Sequence, residues 1–126
     1  MTKFRRITLS ATGLLAALLL TGCAGGAPSD GGSYKNATEL KDAFIKAGGE
    51  CSPWNGHNKT VLATTSGSCG TAFVVGVFED PENLALQVST FKEIGVAAVV
   101  GKNWVFSGTD AASVRDKLGG ELIGKK

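Results

Sequence analysis

The sequence predicts an α+β fold, a two-layer domain in which a mostly antiparallel sheet carries its helices on one side. Three segments show apolar residues at helical spacing behind polar capping residues. Two pairs of β-rich segments lie between them, which gives the order α-β-β-α-β-β-α, with a short last strand possible at Glu121–Ile123. Strands joined by short turns pair antiparallel, so this order favours an antiparallel sheet.

The first predicted helix follows Asn36. Asn is a preferred N-cap residue, and Glu39 stands three positions later, as in a capping box. Apolar residues then recur at i, i+3, i+4 and i+7, which is one face of a helix: Leu40, Ala43, Phe44 and Ala47. Gly48 and Gly49 are expected to end it.

A loop is predicted over residues 50–59, followed by a strand pair. The first strand is expected at Thr60–Thr65, a turn at Ser66–Ser68, and the second strand at Gly70–Phe78. The second strand is almost continuously apolar, which is typical of a central strand or one covered on both faces.

The second helix is predicted to begin at Asp80 and Pro81, since Asp is a good N-cap and Pro fits the first helical position. Its expected end is Gly95. The apolar residues of its buried face are expected to be Leu84, Ala85, Val88 and Phe91.

A second hairpin is predicted from Val96–Val100 and Trp104–Ser107, joined by a Gly- and Asn-containing turn at residues 101–103. Thr109 or Asp110 is expected to cap a third helix. That helix should bury Ala111, Val114 and Leu118 and end at Gly119–Gly120.

The N-terminal residues have the organisation of a secretory signal peptide. Three cations (Lys3, Arg5, Arg6) precede an apolar stretch from Ile7 to Leu20, which ends in Leu20-Thr21-Gly22-Cys23. This ending resembles the lipobox of bacterial lipoproteins. The resemblance implies cleavage after Gly22, a diacylglycerol on Cys23, and a mature protein held by membrane lipid on the extracytoplasmic face of the cell membrane.

Two alternatives to the lipobox interpretation stay open. A retained transmembrane helix needs about 20 predominantly apolar residues, and the stretch here is shorter and contains Thr8, Ser10 and Thr12. An ordinary signal peptide would leave Cys23 unmodified. The residues around Gly22 and Cys23 favour the lipobox over both.

The predicted domain organisation is a signal peptide at 1–22, an acylated cysteine with a flexible tether at 23–33, and one domain at 34–126. Without the signal peptide the chain has 10 basic and 11 acidic residues. This balance, with scattered cations, excludes the basic surface that nucleic-acid binding requires.

Two further stretches, Ala47-Gly48-Gly49-Glu50-Cys51-Ser52-Pro53-Trp54 and Val100-Gly101-Lys102-Asn103-Trp104-Val105, are similar to small actinobacterial lipoproteins of unassigned function. The resemblance spans most of residues 36–120, but its motifs are loose and imply no activity.

The two cysteines that remain after Cys23 are Cys51 and Cys69. An exported domain meets an oxidising compartment, where an even pair of cysteines usually forms a disulfide. The alternative is two separate buried thiols.

No catalytic or metal-binding constellation is recognisable. His57 is the chain's single histidine and no nucleophile motif accompanies it, so a solvated loop residue is favoured over a general base. Cys51, His57 and Cys69 supply only three donors, whereas a structural zinc site normally has four ligands. No cofactor loop is present, and no cofactor is expected.

Trp54, His57 and Trp104 are the candidate partner-binding residues, because Trp dominates many interfaces and loops concentrate binding residues. For both tryptophans, packing in the core is the competing interpretation. The sequence thus favours a non-enzymatic binding or interaction module with an unknown protein or small-molecule partner. The alternative is an extracytoplasmic enzyme or thiol-redox protein whose site the sequence does not reveal.

Overall fold

The computed structural model of the chain describes residues 29–57 and 62–124. The predicted signal peptide, Cys23 and the first part of the predicted tether lie outside these residues. The described elements follow one another in this order: α1 (Ala37–Lys46), β1 (Trp54–His57), β2 (Thr65–Cys69), β3 (Phe73–Val77), α2 (Pro81–Ile94), β4 (Ala98–Val100), β5 (Trp104–Gly108), α3 (Ala111–Leu118) and β6 (Glu121–Ile123).

The six strands form one sheet in the order β1-β2-β3-β5-β4-β6. Every neighbouring pair is antiparallel. The predicted α+β class, the antiparallel sheet and the general order of elements are therefore confirmed. The nearly continuous apolar segment forms β3, a central strand between β2 and β5, and the optional last strand exists as β6.

The helices lie on both faces of the sheet, which differs from the predicted single helical layer. The inner face carries α1 and α3, and the aromatic centre of its core is formed by Phe44, Phe73 and Phe106, whose ring centroids lie 4.7–5.6 Å apart. The outer face carries α2 over a smaller cluster around Phe78 and Val105. In β3, β4 and β5, apolar residues follow one another directly, so apolar side chains point to both faces of the sheet. Both faces of the sheet centre therefore need a cover.

The predicted caps of the first two helices form. Asn36 Oδ1 accepts a hydrogen bond from the Glu39 backbone N–H at 2.9 Å, and Asp80 Oδ1 accepts one from Glu82 N–H at 2.9 Å. Gly95 ends α2 in the left-handed conformation, with φ of 76°. Asp110 stands at the N-cap of α3 but makes no side-chain capping bond.

Helix α2 is only half-buried. Leu84, Val88 and Phe91 pack on the outer cluster, whereas Ala85 is exposed, contrary to the prediction. No residue of α2 is fully buried. The helix therefore covers the outer face loosely.

Two local predictions around β1 and β2 are wrong. Trp54–His57, assigned to a loop, form edge strand β1, and Ser66–Ser68, assigned to a turn, are the middle of β2. The turn lies instead after Cys69, where Ala72 N–H donates to Cys69 O at 3.0 Å. The cause is tertiary packing: the Trp54 ring lies across Gly67 on the neighbouring strand, where a Cβ would collide with it.

The N-terminal segment Ser29–Tyr34 is packed against the domain, although the flexible tether was predicted to extend to Ser33. Gly31 is buried beneath the Trp104 ring, and Trp104 Nε1 donates to the carbonyls of Gly31 and Gly32 at 3.2 and 3.1 Å. A glycine-rich composition predicts flexibility only where no such partner exists.

Within the described ranges, none of the helices has both the length and the apolar character needed to cross a bilayer.

Candidate functional site

Trp104, one of the three candidate partner-binding residues, lies in the core. Its exposed fraction is 0%, and its indole N–H is used by the N-terminal segment of the same chain. Tyr34 contacts it edge-on, with ring centroids 6.1 Å apart. Trp104 therefore binds its own chain and offers no surface to a partner.

Trp54 is half-buried on the inner face of edge strand β1. Its ring covers Gly67, and Lys41 Nζ of α1 lies 5.5 Å from the ring centroid. Lys41 also pairs with Asp42 at 2.7 Å. The ring thus joins β1 to β2 and α1, which is the predicted packing alternative to a partner-binding anchor.

The Cys51–Cys69 disulfide is present, with the two Cα atoms 4.5 Å apart. It joins the chain just before β1 to the last residue of β2. The exposed fractions of Cys51 and Cys69 are 8% and 2%, so the bridge is shielded from thiols in solution. Burial favours a structural role over thiol exchange.

His57 lies on the outer face of the sheet, beside a groove that α2 leaves open. The groove has a volume of about 330 Å³. We call it the serine groove; its lining includes Ser66, Ser68, Val74, Gln87, Phe91 and Ser107, with His57 at its edge. Its floor is formed by β2, β3 and β5, and its wall is formed by α2.

Ser66 is the distinctive residue of the serine groove. Its exposed fraction is 6%, and its hydroxyl makes no hydrogen bond with any described group. Among the described residues it is the one buried side-chain polar group in this condition. The neighbouring Ser107 hydroxyl, by contrast, donates to Val74 O at 3.2 Å. A buried unpaired hydroxyl is rare in native structures and needs an explanation.

Apart from His57, the rest of the described lining of the serine groove is apolar or carries neutral polar groups. The described lining contains no carboxylate, lysine or arginine. Val74 is 58% exposed, which is unusual for the central strand of a sheet. The groove thus combines an apolar surface with hydroxyl and amide groups, the usual composition of a small-molecule site.

Ser66 and His57 are directly opposed across β1 and β2. A nucleophile needs a hydrogen-bonded base, and the Ser66 hydroxyl has no such bond. In the described part of the chain, no group of three or more His, Cys, Asp or Glu residues could hold a metal ion. The opposed pair therefore lacks the contacts of a catalytic dyad.

A second and larger groove, of about 950 Å³, lies at one end of the sheet. We call it the end groove. It is lined mainly by small residues near the turn after β2 and the start of α3, such as Thr71, Ala72, Thr109 and Ala112, and Arg115 is the one cationic side chain among its described lining residues. Arg115 is 3.6 Å from Asp116.

Comparison with known proteins gives no relative: no family model, no curated protein and no solved structure matches the chain.

Of the sequence-predicted residues, only His57 reaches the serine groove. Ser66 was assigned to a turn, so its burial could not be expected. The signal that could have located it is alternation: Ser66 and Ser68 share one face of a strand, as Val74 and Gly76 do on the next strand.

Proposed function

We propose that this chain is a lipid-anchored extracytoplasmic module that binds an uncharged ligand in the serine groove without turnover. The observation that carries the proposal is the buried, unpaired Ser66 hydroxyl beside an open groove. Leaving such a group unpaired costs about 1–3 kcal/mol. A ligand that hydrogen-bonds to Ser66 would recover this energy.

The ligand class follows from the lining. The absence of carboxylate, lysine and arginine side chains among the described lining residues disfavours an ionic ligand, since burying an uncompensated charge is costly. Val74 and Phe91 offer apolar contact, Ser68 and Gln87 offer hydrogen bonds, and the buried Ser66 hydroxyl offers one when its side chain turns toward the groove. The best match is a small neutral molecule with an apolar face and a polar edge.

The binding test compares Ser66→Ala with the matched variant Ser68→Ala, which alters the same face of β2 at a half-buried site. The probes are benzamide, benzoate and benzylamine, which share one ring and differ in charge. Backbone amide NMR signals are followed during titration with each probe.

Benzamide is expected to shift the signals of the serine groove in the wild type, and Ser66→Ala is expected to weaken this binding more than Ser68→Ala. Stronger binding of benzoate or benzylamine, or equal binding to the Ser66→Ala variant, would contradict the proposed site.

Ser66→Ala is also expected to stabilise the ligand-free protein by about 1 kcal/mol, because it removes a buried hydroxyl that has no partner. In a domain of this size that corresponds to a melting temperature roughly 4–8 °C higher. A lower melting temperature would show that the hydroxyl is satisfied in solution.

The anchor rests on the lipobox residues Leu20–Cys23. Intact-mass analysis of protein extracted from membranes is expected to show loss of residues 1–22 and a gain of lipid mass. Cys23→Ser is expected to prevent the gain and detach the protein. An unlipidated wild-type protein in the soluble fraction would refute the anchor.

A further inference from the structure

The chain is fixed to the domain from Ser29 onward. Gly120 N–H donates to Ser29 O at 3.1 Å, and Lys102 N–H donates to Gly32 O at 3.2 Å. The Asn103 side chain makes two hydrogen bonds with the Tyr34 backbone. Its Oδ1 accepts from the Tyr34 N–H at 3.0 Å, and its Nδ2 donates to the Tyr34 carbonyl at 2.7 Å. These bonds attach the N-terminal segment at one place on the fold.

That place is one end of the sheet. We call it the anchor end; there the β4–β5 turn, the α3–β6 connection and the start of α2 meet. The opposite end, which we call the far end, holds the turn after β2, the end of α2 and the start of α3. The paired registers run from one end to the other: Val77 pairs with Trp104 at the anchor end, and Phe73 pairs with Gly108 at the far end. The end groove lies at the far end.

The length of chain before Ser29 limits how the domain can turn. Five residues separate Cys23 from Ser29, so the two Cα atoms are at most about 20 Å apart. A domain of this size has a radius of gyration of about 13 Å and is therefore roughly 34 Å across. The tether is thus too short for the far end to reach a surface that holds Cys23.

The charges at the anchor end oppose close contact with an anionic bilayer. Carboxylates outnumber the described cations there: Asp30, Glu39, Glu79, Asp80, Glu82 and Glu121, against Lys35 and Lys102. At physiological ionic strength this repulsion acts over about 8 Å, which is shorter than the tether. Repulsion therefore holds the anchor end off the surface without detaching the protein.

We propose that the anchor end faces the lipid surface, held a short distance from it, and that the end groove points away from the membrane. This orientation rests on the proposed acylation of Cys23. It makes the end groove, with Arg115, the surface that a partner approaching from outside meets first.

The test uses the full lipidated chain in phosphatidylcholine vesicles, after intact mass has shown the lipid. A fluorophore is attached at Lys102→Cys on the anchor end or at Thr71→Cys on the far end; both wild-type side chains are exposed. Energy transfer to a headgroup-labelled lipid is measured. We expect several-fold stronger transfer from position 102, and a smaller difference after insertion of about ten Gly/Ser residues behind Ala24.

Equal transfer from both positions in lipidated protein, or stronger transfer from position 71, would overturn the orientation. Adding phosphatidylglycerol is expected to reduce energy transfer from position 102, and high salt should restore it. An increase in transfer on adding phosphatidylglycerol would contradict the proposed separation between the anchor end and the lipid surface. Missing lipid mass would instead refute the anchor itself, so the two failures are distinguishable.

Discussion

Tyr34 shows at the scale of one residue how the N-terminal segment is tied to the core. Its backbone N–H donates to the Asn103 side chain, and its backbone carbonyl accepts from the same side chain. Its ring contacts Trp104. Burial raises the pKa of its phenol above the ordinary value of 10.0. Since it is the chain's single tyrosine, its titration reports on this contact alone.

We expect the native protein to form tyrosinate at higher pH than the denatured protein, as followed by ultraviolet absorbance. The raised pKa means that the folded state keeps its proton longer. The stabilisation is therefore fully present below the unfolded pKa and is lost as pH rises through the folded pKa. Tyr34→Phe should remove this alkaline loss of stability. Identical native and denatured titrations would show that the contact does not form.

The helix caps give a matched pair of single-residue tests. Asn36→Ala removes the hydrogen bond to Glu39 N–H and should lower the free energy of unfolding by about 1 kcal/mol. Asp110→Ala removes a side chain with no capping bond and should change it much less. Urea unfolding measures both. If both variants lost the same free energy of unfolding, the Asn36 capping bond would make no measurable contribution to stability.

At the scale of elements, the sequence was sufficient to predict those features that depend only on neighbouring residues. Asn36, Asp80 and Gly95 bound their helices as predicted, because caps depend on neighbouring residues only. Strand β1 has no such signal: Asn55 and Gly56 are poor strand formers, and only pairing with β2 makes them extended.

The same limit explains why the candidate site was only partly predicted. His57 was singled out by residue type, whereas Ser66 becomes notable only through burial and the lack of a partner. Both depend on how α2 crosses the outer face. Amphipathic spacing identifies the buried side of α2 but not the face of the sheet that it covers.

The disulfide stabilises the pairing of β1 with β2. With a sequence separation of 18 between Cys51 and Cys69, the loop-entropy model gives about 3 kcal/mol. Cys51→Ser with Cys69→Ser should therefore lower the melting temperature by roughly 12–24 °C. The corresponding double alanine variant separates the loss of the bridge from the burial of serine hydroxyls. Two thiols that react freely in the native, non-reduced protein would show that no bridge exists.

At the scale of the whole molecule, the described chain is packed against the domain from Ser29 onward, before the predicted boundary at Tyr34. The N-terminal segment belongs to no helix or strand, yet it satisfies the indole N–H of a fully buried tryptophan. Its glycines allow the close approach, since Gly31 has φ of +82° and a Cβ there would lie 2.8 Å from Trp104 Cζ2. The segment therefore acts as part of the core and also limits the reach of the tether.

Two truncated chains test this boundary. A chain that begins at Ser29 should melt at the temperature of the mature protein. A chain that begins at Tyr34 leaves the Trp104 indole N–H without its partners, at a cost of about 1–3 kcal/mol. Gly31→Ala in the full chain should destabilise as well, because it forces the segment off the ring without shortening the chain. If both truncated chains melted together with the mature protein, the segment would be a tether after all, and the reach that orients the domain would have to be counted from Tyr34.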